Sequence, residues 1–194
     1  IIYYESSRGC PFSCSYCLSS VDKCLRFRST DLVKRELQFF IDHRVPQVKF
    51  VDRTFNCNHA YAYRIWKYIG EHDNGVTNFH FEIGGDLLHE EDFLLFDTFR
   101  PGLVQFEIGV QSTNPDTLKA IRRTADWDLL QKLPSTEKQV LLAGGLNPDN
   151  VGEALTACAG KIDGVDTSSG VERTDGNGKH AQIPRYYEKM MEAE

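Results

Sequence analysis

IIYYESSRGCPFSCSYC, residues 1–17, begins as a strand and runs directly into a loop that carries three cysteines. Residues 1–5 combine isoleucine and tyrosine, which are enriched in β-strands. Cys10, Cys14 and Cys17 then fall within eight residues, and the neighbouring glycine and proline supply the bend that so short a loop requires. A structural zinc site takes four protein ligands, so three clustered thiols indicate a metal centre with one position left open.

Strand-like and helical stretches alternate along the chain. Short apolar or alternating runs predict six strands, over residues 1–5, 47–51, 79–83, 103–110, 139–144 and 164–168. Amphipathic stretches predict helices over about 30–44, 59–72, 90–99, from 114, 126–133, 148–159 and 180–192. Thr30 and Asp31 are expected to cap the first helix. The alternation predicts an α/β fold, a six-stranded parallel partial (βα)6 TIM-like barrel in a single domain, with its active site at the carboxyl ends of the strands.

Composition limits the class of protein. The 194 residues are 41% hydrophobic and carry a formal net charge of −6, which suits a globular domain and disfavours a nucleic-acid binder. No apolar run is long enough for a membrane span and no signal peptide opens the chain, so we expect no membrane partner. Clustered cysteines that bind metal indicate a reducing compartment, and we expect a cytoplasmic protein. Open sheet edges favour a monomer or a weak homodimer. Ile1 in place of methionine indicates an excised piece or an engineered chain.

The six cysteines admit more than one interpretation. Disulfide scaffolds are usually shorter and richer in loops, whereas clustered cysteines in a reducing compartment more often bind metal, and we favour the metal. Cys24, Cys57 and Cys158 are scattered singly, and we expect that they are not ligands. The spacing of the other three leaves an incidental zinc loop or unbound thiols open as alternatives.

The spacing C-x3-C-x2-C, with Tyr16 just before the last cysteine, resembles the signature of the radical S-adenosylmethionine (radical SAM) enzymes. The resemblance implies a [4Fe–4S] cluster held by Cys10, Cys14 and Cys17, with one iron open. In that family the amino and carboxylate groups of S-adenosylmethionine chelate the open iron, and electron transfer cleaves the sulfonium to a 5′-deoxyadenosyl radical. The implied cofactors are the cluster and S-adenosylmethionine, with Tyr16 among the cofactor-binding candidates.

EIGVQSTNPDTLKAIRR, residues 107–123, resembles the fourth-strand segment of the same family. The resemblance implies that Glu107, Gln111 and Ser112 reach the cosubstrate and that Arg123 pairs with its carboxylate. The alternative interpretation is a strand whose alternate residues face solvent.

FVDRTFN (50–56) and FEIGGDLL (81–88) resemble the second and third strands of family members that also carry a cobalamin domain. Cobalamin itself is not implied for this chain. The family's G-G-E run, which binds the methionine amino group, is absent, and Asp52 is the nearest candidate to replace it.

From about residue 126 the resemblance changes. VLLAGGLNPDNVGEAL (140–155) and GVDTSSGVERTDG (164–176) resemble the last part of phosphoribosylanthranilate isomerase. That resemblance implies a phosphate or sulfate site formed by two loops, with the residues Gly144, Gly145, Ser168, Ser169 and Gly170. Plain glycine-rich turns are the alternative. The isomerase's catalytic cysteine and aspartate regions are not represented, so isomerase activity is not expected.

Two unrelated resemblances that meet near residues 123–127 predict a chimera. Residues 1–124 would supply four radical SAM-like βα units and residues 125–194 the last two units of the isomerase, together forming one domain. The leading hypothesis is a radical SAM core that binds its cluster and, at most, cleaves S-adenosylmethionine reductively. The alternatives are a non-catalytic structural chimera with a phosphate site and, third, the isomerase of tryptophan synthesis.

Overall fold

The computed structural model describes residues 1–20, 24–109, 115–122, 141–143, 146–158, 162–167, 172–174 and 180–182. The chain divides into two compact units. The first contains Ile1–Gly109 and Asn114–Asp126, and the second contains Val110–Thr113 and Trp127–Glu194. None of the described helices is long and apolar enough to cross a bilayer.

The first unit contains six strands and four α-helices in its described part. Its elements in chain order are β1 (Ile2–Tyr4), β2 (Ser7–Arg8), β3 (Arg26–Phe27), α1 (Thr30–Asp42), β4 (Gln47–Phe50), α2 (His59–Glu71), β5 (Asn78–Ile83), α3 (Glu90–Asp97), β6 (Val104–Ile108) and α4 (Pro115–Ala120). A parallel sheet of four strands has the spatial order β1-β4-β5-β6. Because neighbours in this sheet are consecutive βα units, their carboxyl ends meet at one edge.

The register of this sheet follows the alternation in the sequence. Val48 lies opposite Ile2 on one side and opposite Phe79 on the other. Phe79 in turn lies opposite Val104 of β6. Since side chains alternate between faces with a period of two, this register places the buried residues of β4 and β5 on the same face.

That face carries the hydrophobic core. Phe50 and Phe81 are fully buried, with their ring centroids 4.4 Å apart, and Phe55 lies 4.5 Å from Phe81. Trp66 of α2 is also fully buried and meets the ring of Phe96 at 5.0 Å. Edge-to-face and tilted aromatic pairs at these separations stabilise a core beyond the area that they bury. The helices therefore cover one face of the sheet and leave the other face to polar residues.

The N-cap of the first helix lies one residue earlier than expected. Ser29, rather than Thr30 or Asp31, is the N-cap, and its hydroxyl accepts a hydrogen bond from the backbone N–H of Leu32. Serine is among the best N-cap residues because its side chain satisfies an N–H that has no partner within the helix. The apolar side of α1 then buries Val33, Leu37 and Ile41 at helical spacing.

The second unit contains two small sheets in its described part. Its elements are β7 (Leu141–Ala143), α5 (Val151–Ala157), β8 (Gly164–Asp166), β9 (Glu172–Thr174) and β10 (His180–Gln182). The first two strands, β7 and β8, pair in parallel, with Leu142 opposite Val165. Leu142, Leu146, Val151 and Cys158 form a small buried cluster of their own.

One expectation about the fold is confirmed in part, and another is wrong. The six predicted strands all occur, but the described residues place them in a four-stranded and a two-stranded parallel sheet, so one continuous six-stranded barrel is not confirmed. The helix expected over 180–192 is wrong at its start, because β10 pairs with β9 in antiparallel fashion. The D-G-N-G run at 175–178 is a hairpin signal that the helical interpretation overlooked.

Candidate functional site

The three-cysteine loop begins at the carboxyl end of β1 and is held at both ends. Strands β2 and β3 pair in antiparallel fashion, with Ser7 opposite Phe27 and Arg8 opposite Arg26. The loop between them, residues 9–25, therefore starts and ends at this pair of strands. This pairing brings Cys10, near the start of the loop, to the edge of the sheet where the other strands also end.

The cysteines of the loop differ in exposure. Cys10 and Cys14 are buried, with 8% and 6% of their surface exposed, whereas Cys17 is partly exposed. A backbone hydrogen bond of 3.2 Å from Cys17 N–H to the Cys14 carbonyl closes a turn between the second and third cysteines. The N–H of Ser15 donates to the carbonyl of Ile121, which ties the loop to the chain after α4. The six cysteines of the chain form no disulfide bonds, so the disulfide interpretation is not supported.

The donor set of the loop suits an iron–sulfur cluster. Cys10, Cys14 and Cys17 offer thiolates alone, the usual protein ligands of such clusters. A structural zinc site is completed by four protein ligands, and the loop residues 9–17 supply three cysteines.

Gly9 is required by the entry to the loop. Its φ of +93° is in the region that residues with a side chain rarely adopt. A β-carbon at this position would also lie 3.0 Å from the carbonyl carbon of Cys24 and closer still to its oxygen. The backbone of the loop's first turn therefore packs directly against its returning segment.

Replacing Gly9 by alanine is expected to lower the free energy of unfolding by more than the roughly 1–2 kcal/mol that a positive φ alone costs. Gly75→Ala is the matched control, because Gly75 has a φ of +72° and a β-carbon added there would meet no atom within 4 Å. Urea denaturation of both variants measures the difference. Equal losses at the two positions would show that the contact with Cys24 contributes nothing.

Asp52 lies just after β4, where it contacts the segment that leads into the cysteine loop. Its side chain is 1% exposed, and its carboxylate accepts hydrogen bonds from the Ser6 N–H at 3.1 Å, the Ser6 hydroxyl at 2.8 Å and the Ser7 hydroxyl. Burial raises the pKa of Asp52, and the serine donors oppose that rise. Both carboxylate oxygens are thus engaged by the chain itself, and contact with an amino group of a cosubstrate stays a prediction.

Cys57 is a neighbour of the loop that the sequence did not reveal. It ends a short 3-10 helix, Phe55–Cys57, that follows β4. Burial raises the pKa of its thiol to about 11, and the charges of Cys10 and Asp52 act in the same direction. The electrostatic influence of Cys10 shows that these two cysteines, far apart in sequence, are near in space. The expectation that Cys57 is not a ligand remains a prediction.

Glu107 lies on the polar face of the sheet. Its carboxylate is 3.5 Å from Lys49 Nζ and 3.4 Å from His80 Nε2. Burial raises the pKa of Glu82, which lies opposite Glu107 in the register, and the charge of Glu107 raises it further. Burial also lowers the pKa of His80. This face therefore offers both signs of charge on three adjacent strands.

The remaining predicted site residues are only partly described. Tyr16 is 54% exposed on the cysteine loop. The others lie outside the residues that the structure describes; they are Gln111, Ser112, Arg123, Gly144, Gly145, Ser168, Ser169 and Gly170. Their assignment rests on the sequence and stays a prediction.

The first unit thus combines a parallel α/β sheet with a three-cysteine loop after its first strand. The chain belongs to the radical SAM superfamily, whose family model matches residues 4–133. It is similar in structure to the radical S-adenosylmethionine methyltransferase TsrM from Kitasatospora setae, solved with cobalamin and a [4Fe–4S] cluster bound. The TM-score is 0.63 at 14% identity, over 81% of this chain and 34% of that one, which shows a shared fold.

The last part of the chain matches a different family. The model of N-(5'phosphoribosyl)anthranilate (PRA) isomerase matches residues 123–189. The isomerase of Trichormus variabilis is 42% identical over 78 residues, which are 40% of this chain and 35% of that protein. The isomerase of Desulfovibrio desulfuricans is 53% identical over 57 residues, which are 29% of this chain and 25% of that protein. The chain thus spans about a third or less of these relatives and, as the sequence predicted, combines segments of two families.

Proposed function

We propose that the first unit binds a [4Fe–4S] cluster through Cys10, Cys14 and Cys17 and, with S-adenosylmethionine, supports reductive cleavage to a 5′-deoxyadenosyl radical. The observation that carries the proposal is the three-cysteine loop at the carboxyl end of β1, in a chain of the radical SAM superfamily. When bound, the cluster would supply the electron for this cleavage.

The chain's own residues would hold the loop in place and shape its surroundings. Buried Cys10 and Cys14 keep their side of the loop away from water, while Cys17 and Tyr16 face the side that a small molecule can approach. The hydrogen bonds from Ser6 and Ser7 to Asp52 fix the chain just before the first cysteine. This geometry favours a positioning role for Asp52 over direct contact with the cosubstrate.

The polar face of the sheet is the part of the described chain best suited to the charged ends of S-adenosylmethionine. Glu107 offers a carboxylate for the amino group and Lys49 an ammonium for the carboxylate. The roles predicted for Gln111, Ser112 and Arg123 rest on the sequence resemblance alone. These assignments are part of the proposal, and they do not name a further substrate.

Anaerobic reconstitution with iron and sulfide tests the proposal. We expect close to four irons per chain, a thiolate-to-iron charge-transfer band, and a change in that band when S-adenosylmethionine is added. Addition of a strong reductant should then release 5′-deoxyadenosine, which chromatography detects, and omission of the reductant is the control. A chain that folds but takes up no iron would refute the proposal, and cluster uptake without any response to S-adenosylmethionine would refute its second half.

Isomerase activity is not proposed. The isomerase family model matches residues 123–189, and the sequence resemblance leaves the regions of the isomerase's catalytic cysteine and aspartate without a counterpart. An anion site formed by Gly144, Gly145, Ser168, Ser169 and Gly170 remains a separate prediction, supported by the similarity to the isomerases.

A further inference from the structure

Two histidines and a glutamate meet at the start of two neighbouring helices. His59 is the first residue of α2, His89 immediately precedes α3, and Glu91 lies in the first turn of α3. Both helices follow adjacent strands, β4 and β5. The group therefore lies at the carboxyl edge of the sheet, and none of its members belongs to the cysteine loop.

The distances within this group suit a metal ion. One ligand atom from each of His59, His89 and Glu91 lies within 4.8 Å of the others. Zinc bonds to nitrogen and oxygen of about 2.0–2.1 Å place tetrahedral ligand atoms about 3.3 Å apart, so small side-chain rotations would bring the three atoms to bonding distance of one ion. The Nε2 atom of His59 lies 3.0 Å from Asp92 Oδ1 and is engaged by that carboxylate, which leaves Nδ1 as the ring nitrogen that a metal would take.

We propose that His59, His89 and Glu91 bind a divalent transition-metal ion of the zinc type, with Asp92 as the residue that positions His59. Imidazole with carboxylate is a donor set that suits zinc, cobalt and nickel, whereas calcium and magnesium take oxygen ligands alone. The site is separate from the proposed cluster site and does not depend on it.

Asp92 provides the orienting contact that metal-binding histidines usually have. It is fully buried, its two carboxylate oxygens lie 3.0 and 3.1 Å from His59 Nε2, and it accepts the backbone N–H of His89 at 2.9 Å. A buried carboxylate in this place fixes the orientation of the imidazole ring. The same residue thus links both histidines of the site.

The local charge favours a cation. The N-terminus of a helix carries about half a positive charge, which by itself disfavours a metal ion. Glu90, Glu91 and Asp92 all lie in the first turn of α3 and outweigh that partial charge. A cation bound at this point would neutralise carboxylates that are otherwise gathered together.

One ring must turn for the ion to bind. The imidazoles of His59 and His89 are stacked at 3.9 Å with an interplanar angle of 22°, so their lone pairs run side by side and do not yet converge. His89 is exposed, whereas His59 is held by Asp92. The exposed ring of His89 is therefore the one that can turn about its side-chain bonds without disturbing the core.

Zinc titration by calorimetry tests the site in a chain in which Cys10, Cys14 and Cys17 are replaced by alanine, which removes competing thiolates. We expect one equivalent of Zn²⁺ to bind. Adding His89→Ala and Glu91→Ala should weaken binding by at least roughly ten- to a hundredfold, the loss seen even for outer partners of metal ligands. Both residues are exposed, so circular dichroism should show the fold unchanged.

The matched control adds His43→Ala and His72→Ala instead. These two histidines are also exposed and also lie against aromatic rings, those of Phe39 and Tyr68. Zinc affinity should survive this change. Unchanged affinity in the His89/Glu91 variant, equal losses in both variants, or no saturable binding at all would overturn the proposal.

A second measurement covers the case in which the cysteine variant fails to fold. Co²⁺ binding is then followed by absorption in the parent chain, where thiolate charge-transfer bands report the cysteines separately from the visible bands of a nitrogen and oxygen site. His89→Ala with Glu91→Ala should remove one equivalent and leave the charge-transfer bands intact. Retention of the full stoichiometry would overturn the proposal.

Discussion

Replacing Cys10, Cys14 and Cys17 together by alanine is expected to abolish the incorporation of iron and sulfide. A cluster ligand must be a thiolate, and alanine offers no donor at all. Iron and sulfide per chain after anaerobic reconstitution, together with the charge-transfer absorption, measure the effect. We expect a fall from about four irons per cluster-bearing chain to the level of nonspecific binding.

Cys24→Ala with Cys158→Ala is the matched control for that experiment. Cys24 is exposed on the returning segment of the loop, and Cys158 is buried in the core of the second unit. Iron uptake should be unchanged in this variant. Iron content that survives the triple replacement would contradict the assignment of the loop, and a parallel Cys57→Ala variant would show whether the nearby Cys57 contributes.

Replacing Asp52 by alanine is expected to lower the free energy of unfolding by roughly 3–6 kcal/mol. The carboxylate accepts from three donors, the Ser6 N–H and the hydroxyls of Ser6 and Ser7, and both serines are buried. Each buried polar group left without a partner costs about 1–3 kcal/mol. Urea denaturation measures the loss, which should be accompanied by weaker cluster uptake because the chain before Cys10 is no longer fixed.

Glu5→Ala is the control for the Asp52 variant. Glu5 lies in the same segment and accepts from Arg8, but that ion pair is exposed and should be worth only about 0–1 kcal/mol. Comparable losses at Glu5 and Asp52 would show that burial of the Asp52 hydrogen bonds is not what stabilises the loop entry.

Asp52→Asn should also remove a dependence of stability on pH. Burial raises the pKa of Asp52 above its ordinary value, with the serine hydrogen bonds opposing the rise. A raised pKa means that the folded state holds the proton more tightly, so this contribution is fully present below the ordinary pKa and is lost as pH rises through the raised one. The unfolding free energies of the parent and of Asp52→Asn should therefore diverge as pH rises from the ordinary pKa to the raised pKa of Asp52. If the two free energies change with pH in parallel, the assignment is wrong.

Much of the fold could be predicted from local patterns. The six parallel strands and the helices over 30–42, 59–71 and 90–97 follow from hydrophobic periodicity, which short segments display by themselves. The cap at Ser29 and the hairpin-like pairing of β9 with β10 were missed, although both have local signals. At both places the local sequence fits more than one structure, and the packing of the folded chain decides which one forms.

Part of the candidate sites could likewise be predicted from the sequence, and part could not. The cysteine loop could be recognised because its three thiols lie within eight residues, and the family match supports that prediction. The Ser6–Asp52 hydrogen bonds join residues 46 positions apart, and the His59–Asp92 contact joins residues 33 apart. Sequence spacing carries no signal for either contact.

The sequence by itself determined the order of the six parallel strands and of the five described α-helices, the thiol loop and the meeting of two families within one chain. Tertiary structure alone decided that Asp52 is engaged by the serines before the loop, that Cys57 lies near Cys10, and that His59, His89 and Glu91 meet. The physical reason is that parallel βα units bring the carboxyl ends of distant strands to one edge. Residues that no local pattern connects become neighbours there.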